Sequence, residues 1–526
     1  MASLSILLLL FLLISTTAAA TTAVSTTTTT TTSQKSILHS ACISTPYPSL
    51  CFSSISSNPS LFSSISSNPS HILHISLHLT ITAVHLSLTS ITNLISHHHH
   101  NLHPRELAAL QDCHELLDST LDELHQANTT LTPLTTDLKL LITAAITNQD
   151  SCLDGFSHDG ADRGIRRLII SGITHVRRMC CNALSMIKPD VNDKFHVEAM
   201  HVDQETKVAD EEVVVVVVAK DGSGDYRTVG EAVAAAPAKS KKRYVIRIRE
   251  GRYEENVEVH KKKTNLMFVG DGRDKTVITG SRNVVDGSTT FRSATLAVAG
   301  EGFLARSLRI ENTAGPSKHQ AVALRVNADH AAFYDCDIFG YQDTLYVHSF
   351  RQFFKNCTIQ GTVDFIFGNA AVVFQNCEIQ ARLPNHNQKN MITAQSRDDI
   401  NEPTGIVIQH CRISSTPDLE SNKTSIKTFL GRPWKEFSRT VIIKSEIGDL
   451  VEPEGWHEWN GEFALKTLFY AEYMNSGVGS STDDRVKWEG FKVITNETEA
   501  LQFSVENFIE GGSWLKATGF PYSLGL

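Results

Sequence analysis

The chain has 526 residues, 41% of them hydrophobic and 20% charged, with a formal net charge of −9. That length points to two or three domains. The composition is that of a soluble globular protein, and the acidic balance offers nothing to a nucleic-acid partner. The charge is unevenly divided. Residues 213–526 carry 37 Lys+Arg against 38 Asp+Glu, whereas residues 1–212 carry 11 against 19 and hold 16 of the 23 histidines. Two modules of different chemistry are expected.

Residues 1–23 contain the apolar run Ser5–Ile14, followed by small residues around Ala18–Ala20. This reads as a secretory signal peptide, too short for a spanning helix, and no later segment reads as long and apolar enough to cross a membrane. Secretion permits disulfides and glycans at Asn128, Asn356, Asn422 and Asn496. Residues 24–35, with the run Thr26–Thr32, read as a flexible or O-glycosylated leader. The phrase FSSISSNPS at 52–60 returns unchanged at 62–70, a duplication of slippage type rather than a solenoid. The segment 71–100 is rich in His and ends in His97–His100. It lacks evident metal-ligand spacing, so metal binding by this tract is the lesser reading.

From Pro104 the pattern turns helical. Leu107, Leu110, Leu117, Leu121 and Leu124 recur at spacings of three, four or seven, one face of a helix. LKLLITAAITNQDSCLDGF and IRRLIISGITHVRRMCCNALSMI read as further amphipathic helices, giving a bundle of about four. Cys42 and Cys51 are spaced to close a short hairpin, and Cys113 and Cys152 fall on neighbouring helices. Together with ALQDCHELL and AITNQDSCLDGF, this pattern resembles the invertase/pectin-methylesterase inhibitor domain over residues 36–188. The resemblance implies an all-α four-helix bundle with two disulfides paired in chain order, Cys42–Cys51 and Cys113–Cys152. Cys180 and Cys181 have no obvious partners. Residues 189–212 read as a linker without a dibasic processing pair, and RRLI at 166–169 lies inside a predicted helix. The blander reading is a helical bundle with no binding role.

Val213–Val218 reads as a buried strand, and AKDGSGDYRTVGEAV as a turn into a short helix. Beyond it, short strands alternate with Gly, Asn and Asp. FYDCDIFG, FKNCTIQG and FQNCEIQA share Phe-x-(Asp/Asn)-Cys-x-Ile and place Cys336, Cys357 and Cys377 at intervals of 21 and 20 residues. A β-rich repeat of this length is a solenoid. Equivalent positions on successive coils lie ~4.8 Å apart, so the cysteines form a column in which any adjacent two could bond. The same spacing stacks Asp343 on Asp364, 21 residues on, and brings Gln320 to Gln342, 22 residues on. Two carboxyls this close cannot both ionise freely, which separates an acid from a base or nucleophile. The amides can donate to a developing oxyanion. A purely structural Asp/Gln ladder is the alternative.

GRYEENV at 251–257, TTFRSATLAV at 289–298, QAVALRV at 320–326, GYQDTLYVH at 340–348, GTVDFIFGNA at 361–370 and LGRPWKEFSRTV at 430–441 resemble the plant-type pectinesterase (pectin methylesterase) family, in order across 213–526. The resemblance implies an all-β right-handed parallel β-helix that hydrolyses galacturonate methyl esters in pectin (homogalacturonan), without a cofactor. It implies Asp364 as nucleophile, Asp343 as general acid and then base, and Gln342 at the oxyanion. Thr290, Gln320, Arg432 and Trp434 would bind substrate. It also implies a Cys357–Cys377 disulfide that leaves Cys336 unpaired. Such a protein would be extracellular, in the cell wall, with its helical module covering the cleft or acting in trans. The competing readings are another β-helical pectin-degrading enzyme and a non-catalytic pectin-binding or inhibitor protein. The first lacks its expected aspartate cluster, Gly-His-Gly phrase or calcium acids. Against the second, every matched catalytic position is filled.

Overall fold

The computed structural model describes residues 27–66, 68–98, 102–129, 136–157, 163–187 and 214–526. The expected signal peptide, the linker at 189–212 and the last two residues of the His tract lie outside the described residues.

The N-terminal module is helical. Helices α1 (Thr27–Cys42), α2 (Pro48–Ser56) and α3 (Pro59–Ser63) form a cap, and α4 (Pro69–His98), α5 (Pro104–Thr129), α6 (Thr136–Asp154) and α7 (Arg163–Ser185) pack as a four-helix bundle. Four particulars differ from expectation or add to it. First, the Thr run belongs to α1 from Thr27 onward, because a helix anchored by buried Leu38 and Cys42 extends at little cost once nucleated. Second, the two copies of FSSISSNPS each supply a helix start. The Asn58 side chain accepts from Leu61 N–H, and the Asn68 side chain accepts from Ser70 N–H, with Pro next in each case, a favoured N-terminal arrangement. Third, the His-rich segment is α4. Contrary to the membrane expectation, Ser70–His97 is long and apolar enough to span by length and composition. Its buried Leu73, Leu77, Ile81, Val84 and Ile91 are spent on the bundle core. Fourth, RRLI sits within α7.

Cys42–Cys51 and Cys113–Cys152 are disulfides, with sequence separations of 9 and 39. Cys180 and Cys181 are buried thiols. Closing the longer loop is worth about 4 kcal/mol in the chain-entropy account. Cys113→Ser with Cys152→Ser should lower the chain's unfolding free energy by about that amount in urea, and the Cys42–Cys51 pair by about 2.5 kcal/mol.

The C-terminal module is a parallel β-helix of three sheets with eleven, seven and eight strands, in which each strand pairs mainly with the equivalent strand one coil away. The repeat phrase explains the winding. Phe333, Phe354 and Phe374 are in register in the eleven-stranded sheet, their rings stacked at 4.7 and 4.9 Å. The next turn passes through a left-handed residue, Asp335, Asn356, Asn376 or His410, with φ between 51° and 55°. Asp and Asn tolerate that conformation best among non-glycine residues, which accounts for the residue before each Cys. Ile338, Ile359, Ile379 and Ile413 then align in the eight-stranded sheet. Gly368 has φ 126° and a Cβ there would lie 2.2 Å from the Val347 carbonyl oxygen, so FGN can hold only glycine at that point.

Two expectations are corrected here. Val214 and Val215 of the valine strand are 49% and 55% exposed, because this strand forms the open end of its sheet. The Cys357–Cys377 disulfide is not formed: Cys336, Cys357, Cys377 and Cys411 are buried thiols. In-register strands hold their side chains parallel at ~4.8 Å, whereas a disulfide needs its Cβ atoms about 3.5–4.5 Å apart. The column is instead tied by Cys357 N–H donating to Cys377 Sγ (3.4 Å), Cys377 N–H to Cys411 Sγ (3.3 Å) and Cys411 N–H to Ser445 Oγ (3.0 Å). Of the sequons, Asn356, Asn422 and Asn496 are exposed, and Asn128 is half-buried in α5.

Candidate active site

Asp343 and Asp364 occupy the same corner of two successive coils. Each precedes a strand of the seven-stranded sheet, and Leu345 and Ile366, two residues on, are register partners. Both aspartates have left-handed backbones, φ 60° and 51°, and Asp343 N–H donates to the Val363 carbonyl at 3.0 Å. Such corners turn the side chain out of the strand's alternation, and strain of this kind gathers at functional sites. The aspartates therefore line a cleft of 430 Å³ instead of entering the solenoid's interior.

Thr290, Gln320, Gln342, Arg432 and Trp434 line the same cleft. The seven residues singled out in the sequence for substrate and chemistry are thus brought together. Arg432 holds Asp364 with both prongs of its fork, Nε to Oδ1 at 2.8 Å and Nη2 to Oδ2 at 2.6 Å, the strong bidentate arrangement. Asp343 has no such clamp. Burial first, and the Asp364 charge second, hold its pKa well above the ordinary range, and Arg432 offsets them only in part. One carboxyl is fixed and charge-compensated, while burial and the neighbouring charge favour the protonated form of the other. Gln342 Oε1 is buried without a partner, and the side chain lines the cleft wall.

Several cleft residues had no signal in the sequence reading. Trp459 is 37% exposed, and the Arg432 guanidinium lies 4.4 Å from its ring centroid. It stands outside every repeated phrase; an aromatic in the loop HEWNG was the only hint. Tyr346 stacks on Phe367 one coil on, at 4.2 Å, and Phe367 lies 6.0 Å from Trp434. These rings make the flat apolar floor.

The helical module forms part of the wall. Ser151, Asp154, Gly155 and Ser157, at the end of α6, line the cleft beside the aspartates. Ser151 Oγ hydrogen-bonds Tyr346 Oη at 3.0 Å and His348 Nε2 at 2.9 Å; burial pushes His348 down to about 3, so it is neutral. Asp112 of α5 accepts from Thr289 Oγ1 and pairs with Arg292, which also reaches Glu115 at 2.7 Å. Arg177 of α7 bridges Asp150 and Asp398, and Asn369 Nδ2 donates to Thr147 Oγ1 at 2.9 Å. Bundle side chains share one apolar core with Phe291, Val322, Tyr346 and Phe367.

Burial raises four carboxyls in and around this contact. Asp112 and Asp154 are pushed up to about 6, and Glu123 and Glu402 to about 8. The unfolded chain gives up these protons first, near pH 4, so the contribution of these four groups to folding stability is fullest at and below that pH. It falls as pH rises toward 8. The thermal midpoint of the whole chain should drop between pH 5 and 8, and Glu123→Gln should flatten the upper part of that decline; a midpoint that climbs over this range contradicts the assignment.

Comparison with known proteins agrees with this geometry in both modules. A family model described as Pectinesterase matches residues 215–512, and one described as Plant invertase/pectin methylesterase inhibitor matches residues 36–186. The chain is 54% identical to Pectinesterase 1 of Citrus sinensis over 523 residues, covering 93% of this chain and 89% of that protein. It is 52% identical to Pectinesterase/pectinesterase inhibitor 3 of Arabidopsis thaliana over 543 residues, covering 94% and 91%. The solved structure of pectin methylesterase from carrot is 65% identical and superposes with a TM-score of 0.59, covering 59% of this chain and 98% of that one. With a clamped and an unclamped aspartate at equivalent corners of a parallel β-helix, and both family matches in their places, the chain belongs to the pectinesterase family and carries an inhibitor-like helical domain ahead of its esterase domain.

Proposed function

We infer that the chain hydrolyses the methyl esters of galacturonate units in pectin by a two-aspartate mechanism. The observation that carries the reading is the asymmetry between two equivalent carboxyls: Arg432 grips Asp364 bidentately, and Asp343 is buried without such a partner, its pKa held well above the usual carboxylate range. Asp364 attacks the ester carbonyl carbon. The carbonyl oxygen takes the negative charge and is met by the Gln342 amide, with Gln320 beside it. Collapse of this intermediate breaks the bond to the methoxy group, and Asp343 gives its proton to the departing methanol. An acyl-enzyme anhydride remains on Asp364. Asp343, now ionised, takes a proton from water as the water adds to that acyl group, and cleavage releases the galacturonate carboxylate and returns Asp364 to its clamp. Thr290, Trp434 and Trp459 orient the sugar. The direct test is methanol release from methyl-esterified pectin. Methanol with falling pH supports an esterase, whereas new reducing ends or unsaturated ends without methanol point to a different pectin-degrading class.

The proton on Asp343 gives a pH signature. The first step needs it protonated, so kcat should fall as pH rises through its raised pKa. Asp343→Asn should remove most activity yet raise the thermal midpoint at neutral pH, because the wild-type group costs folding free energy wherever the unfolded carboxyl is ionised, above about pH 4. A variant that is inactive but no more stable at pH 7 argues against a buried, protonated Asp343.

The helical module is proposed to hold the enzyme inactive. What supports this is the position of Ser151, Asp154, Gly155 and Ser157 in the cleft wall. The apolar run Ser5–Ile14 supports export, which would bring the enzyme to pectin in the cell wall.

A further inference from the structure

A second groove, of 470 Å³, lies on the β-helix and shares no lining residue with the catalytic cleft. One side is the loop carrying Lys239, Lys241 and Arg243; the other carries His330 and Trp514. We propose that this groove binds a run of de-esterified galacturonate units, a polyanion of the kind the esterase produces. The assignment of this ligand rests on the esterase reading.

The charge arrangement calls for an anion. The Arg243 guanidinium donates through Nη1 to the Gly302 carbonyl and pairs with no carboxylate among the described residues. Burial alone pushes its pKa down to about 10. A half-buried cation without a counter-charge is costly, and a bound carboxylate relieves that cost. Lys239 and Lys241 are exposed on the same loop, and neither forms an ion pair with another of the described residues. The loop is held against their mutual repulsion: Lys239 has a left-handed backbone, φ 53°, and its N–H donates to the Lys262 carbonyl at 2.6 Å. The facing wall is aromatic, with the His330 and Trp514 rings 5.1 Å apart. Glu301 is the one acid in the groove, and it lies 3.9 Å from His330 Nδ1. Cations opposite an aromatic edge suit a sugar bearing a carboxylate, since the ring packs on the edge and the charge meets the cations.

The groove's continuation shows what such cations accept. An adjoining cavity of 350 Å³ shares Lys239, Thr264, Glu301 and His330 and runs beneath the bundle. There carboxylates already occupy the cations. Asp118 and Asp122 of the bundle sit 2.6 and 2.5 Å from Lys261, and Arg351 is held by Asp329 and Glu510 of the β-helix, with Asp137 of the bundle at 2.8 Å. The covered half therefore already holds a series of carboxylates, and the open half presents cations without them. Several cations on one short loop favour a polymer with a carboxylate on every sugar over a small anion, because successive contacts share one association cost.

The test uses the full chain, in which the bundle walls the catalytic cleft. Three proteins are compared: wild type, Lys239→Gln/Lys241→Gln, and the same with Arg243→Gln added. The first pair of substitutions is at exposed sites, so folding is not at stake. Binding to polygalacturonate is measured at fixed ionic strength, with polyglutamate as a polyanion of unrelated shape. Methanol release from fully esterified pectin is followed in parallel. The expected result is a several-fold loss of polygalacturonate affinity in the double variant and about tenfold or more in the triple variant, with methanol release within about twofold of wild type. Unchanged affinity in the triple variant overturns the proposal. Equal wild-type affinity for polyglutamate also overturns it, leaving only a charged surface. Failure of the esterase reading appears separately, as no methanol from the wild type or from its separated β-helix.

Discussion

Asp364→Asn is expected to lower methanol release by on the order of 10⁴-fold or more, the scale seen when a nucleophile is removed from a group of residues that act as a unit. The amide is nearly isosteric with the carboxylate, so the left-handed corner and the strand pairing that follows it should survive. What disappears is the attacking oxygen. Arg432 loses its charged partner, but its side chain is 24% exposed and can turn to water, so the thermal midpoint should move little. KM should change less than kcat, because Thr290, Gln320, Trp434 and Trp459 still line the cleft. Activity above roughly a tenth of wild type would remove Asp364 from the nucleophile's role. Asp343→Asn supplies the contrast. It too should be nearly inactive, but it should also abolish the raised-pKa limb of the pH profile and stabilise the fold at neutral pH.

The second large effect concerns the helical module. The full chain should release methanol far more slowly than its β-helix, residues 214–526, made separately; the carrot relative, whose solved chain matches 59% of this one, indicates that such a unit stands alone. Asp112→Ala with Arg177→Ala, both on the bundle, should raise the full chain's activity by on the order of 100-fold. Asp112 is fully buried against Thr289 and Arg292, and Arg177 joins α7 to Asp398. Removing one partner of a charge contact as buried as Asp112 costs up to about 3 kcal/mol, the partly exposed Arg177–Asp398 pair adds less, and each 1.4 kcal/mol is tenfold in the opening equilibrium. The tether keeps the bundle at high effective concentration, so one weakened contact alone should release less. If the full chain already matches the isolated β-helix, the bundle does not inhibit. If it is inhibited but the double variant stays silent, the apolar contacts around Phe291 and Tyr346 hold the closure instead.

Much of the β-helix was legible in residue spacing because a solenoid writes its geometry into the chain at fixed intervals. Phe, Asp or Asn, Cys and Ile recur in the phrase; each has a structural task at one point of the coil, and all are in register where the spacing put them. The aspartates stack for the same reason. The pairing of the bundle's disulfides was legible through the resemblance to the inhibitor domain, and the nine-residue separation of Cys42 and Cys51 fits one hairpin.

Spacing did not disclose how the column of cysteines would be used. Period alone brings Cys357 beside Cys377, but the parallel setting of in-register side chains leaves them as thiols. Nor did the His-rich tract announce itself as a bundle helix, because its histidines interrupt a face that only becomes apolar once α5 and α7 are packed against it.

By itself the sequence determined the coil, its corners and the stacking of two carboxyls, because each depends on neighbours at a constant interval along the chain. Tertiary structure alone decided that Arg432 meets Asp364 with both prongs of its fork, where Trp459 stands, and that α6 closes one side of the cleft. Those outcomes rest on contacts such as Asp112 with Thr289 and Ser151 with Tyr346, 177 and 195 residues apart in sequence. No local pattern encodes such pairs. They arise when two folded surfaces bury apolar area against each other and bring opposite charges into register, Asp112 of the bundle with Arg292 and Arg177 of the bundle with Asp398.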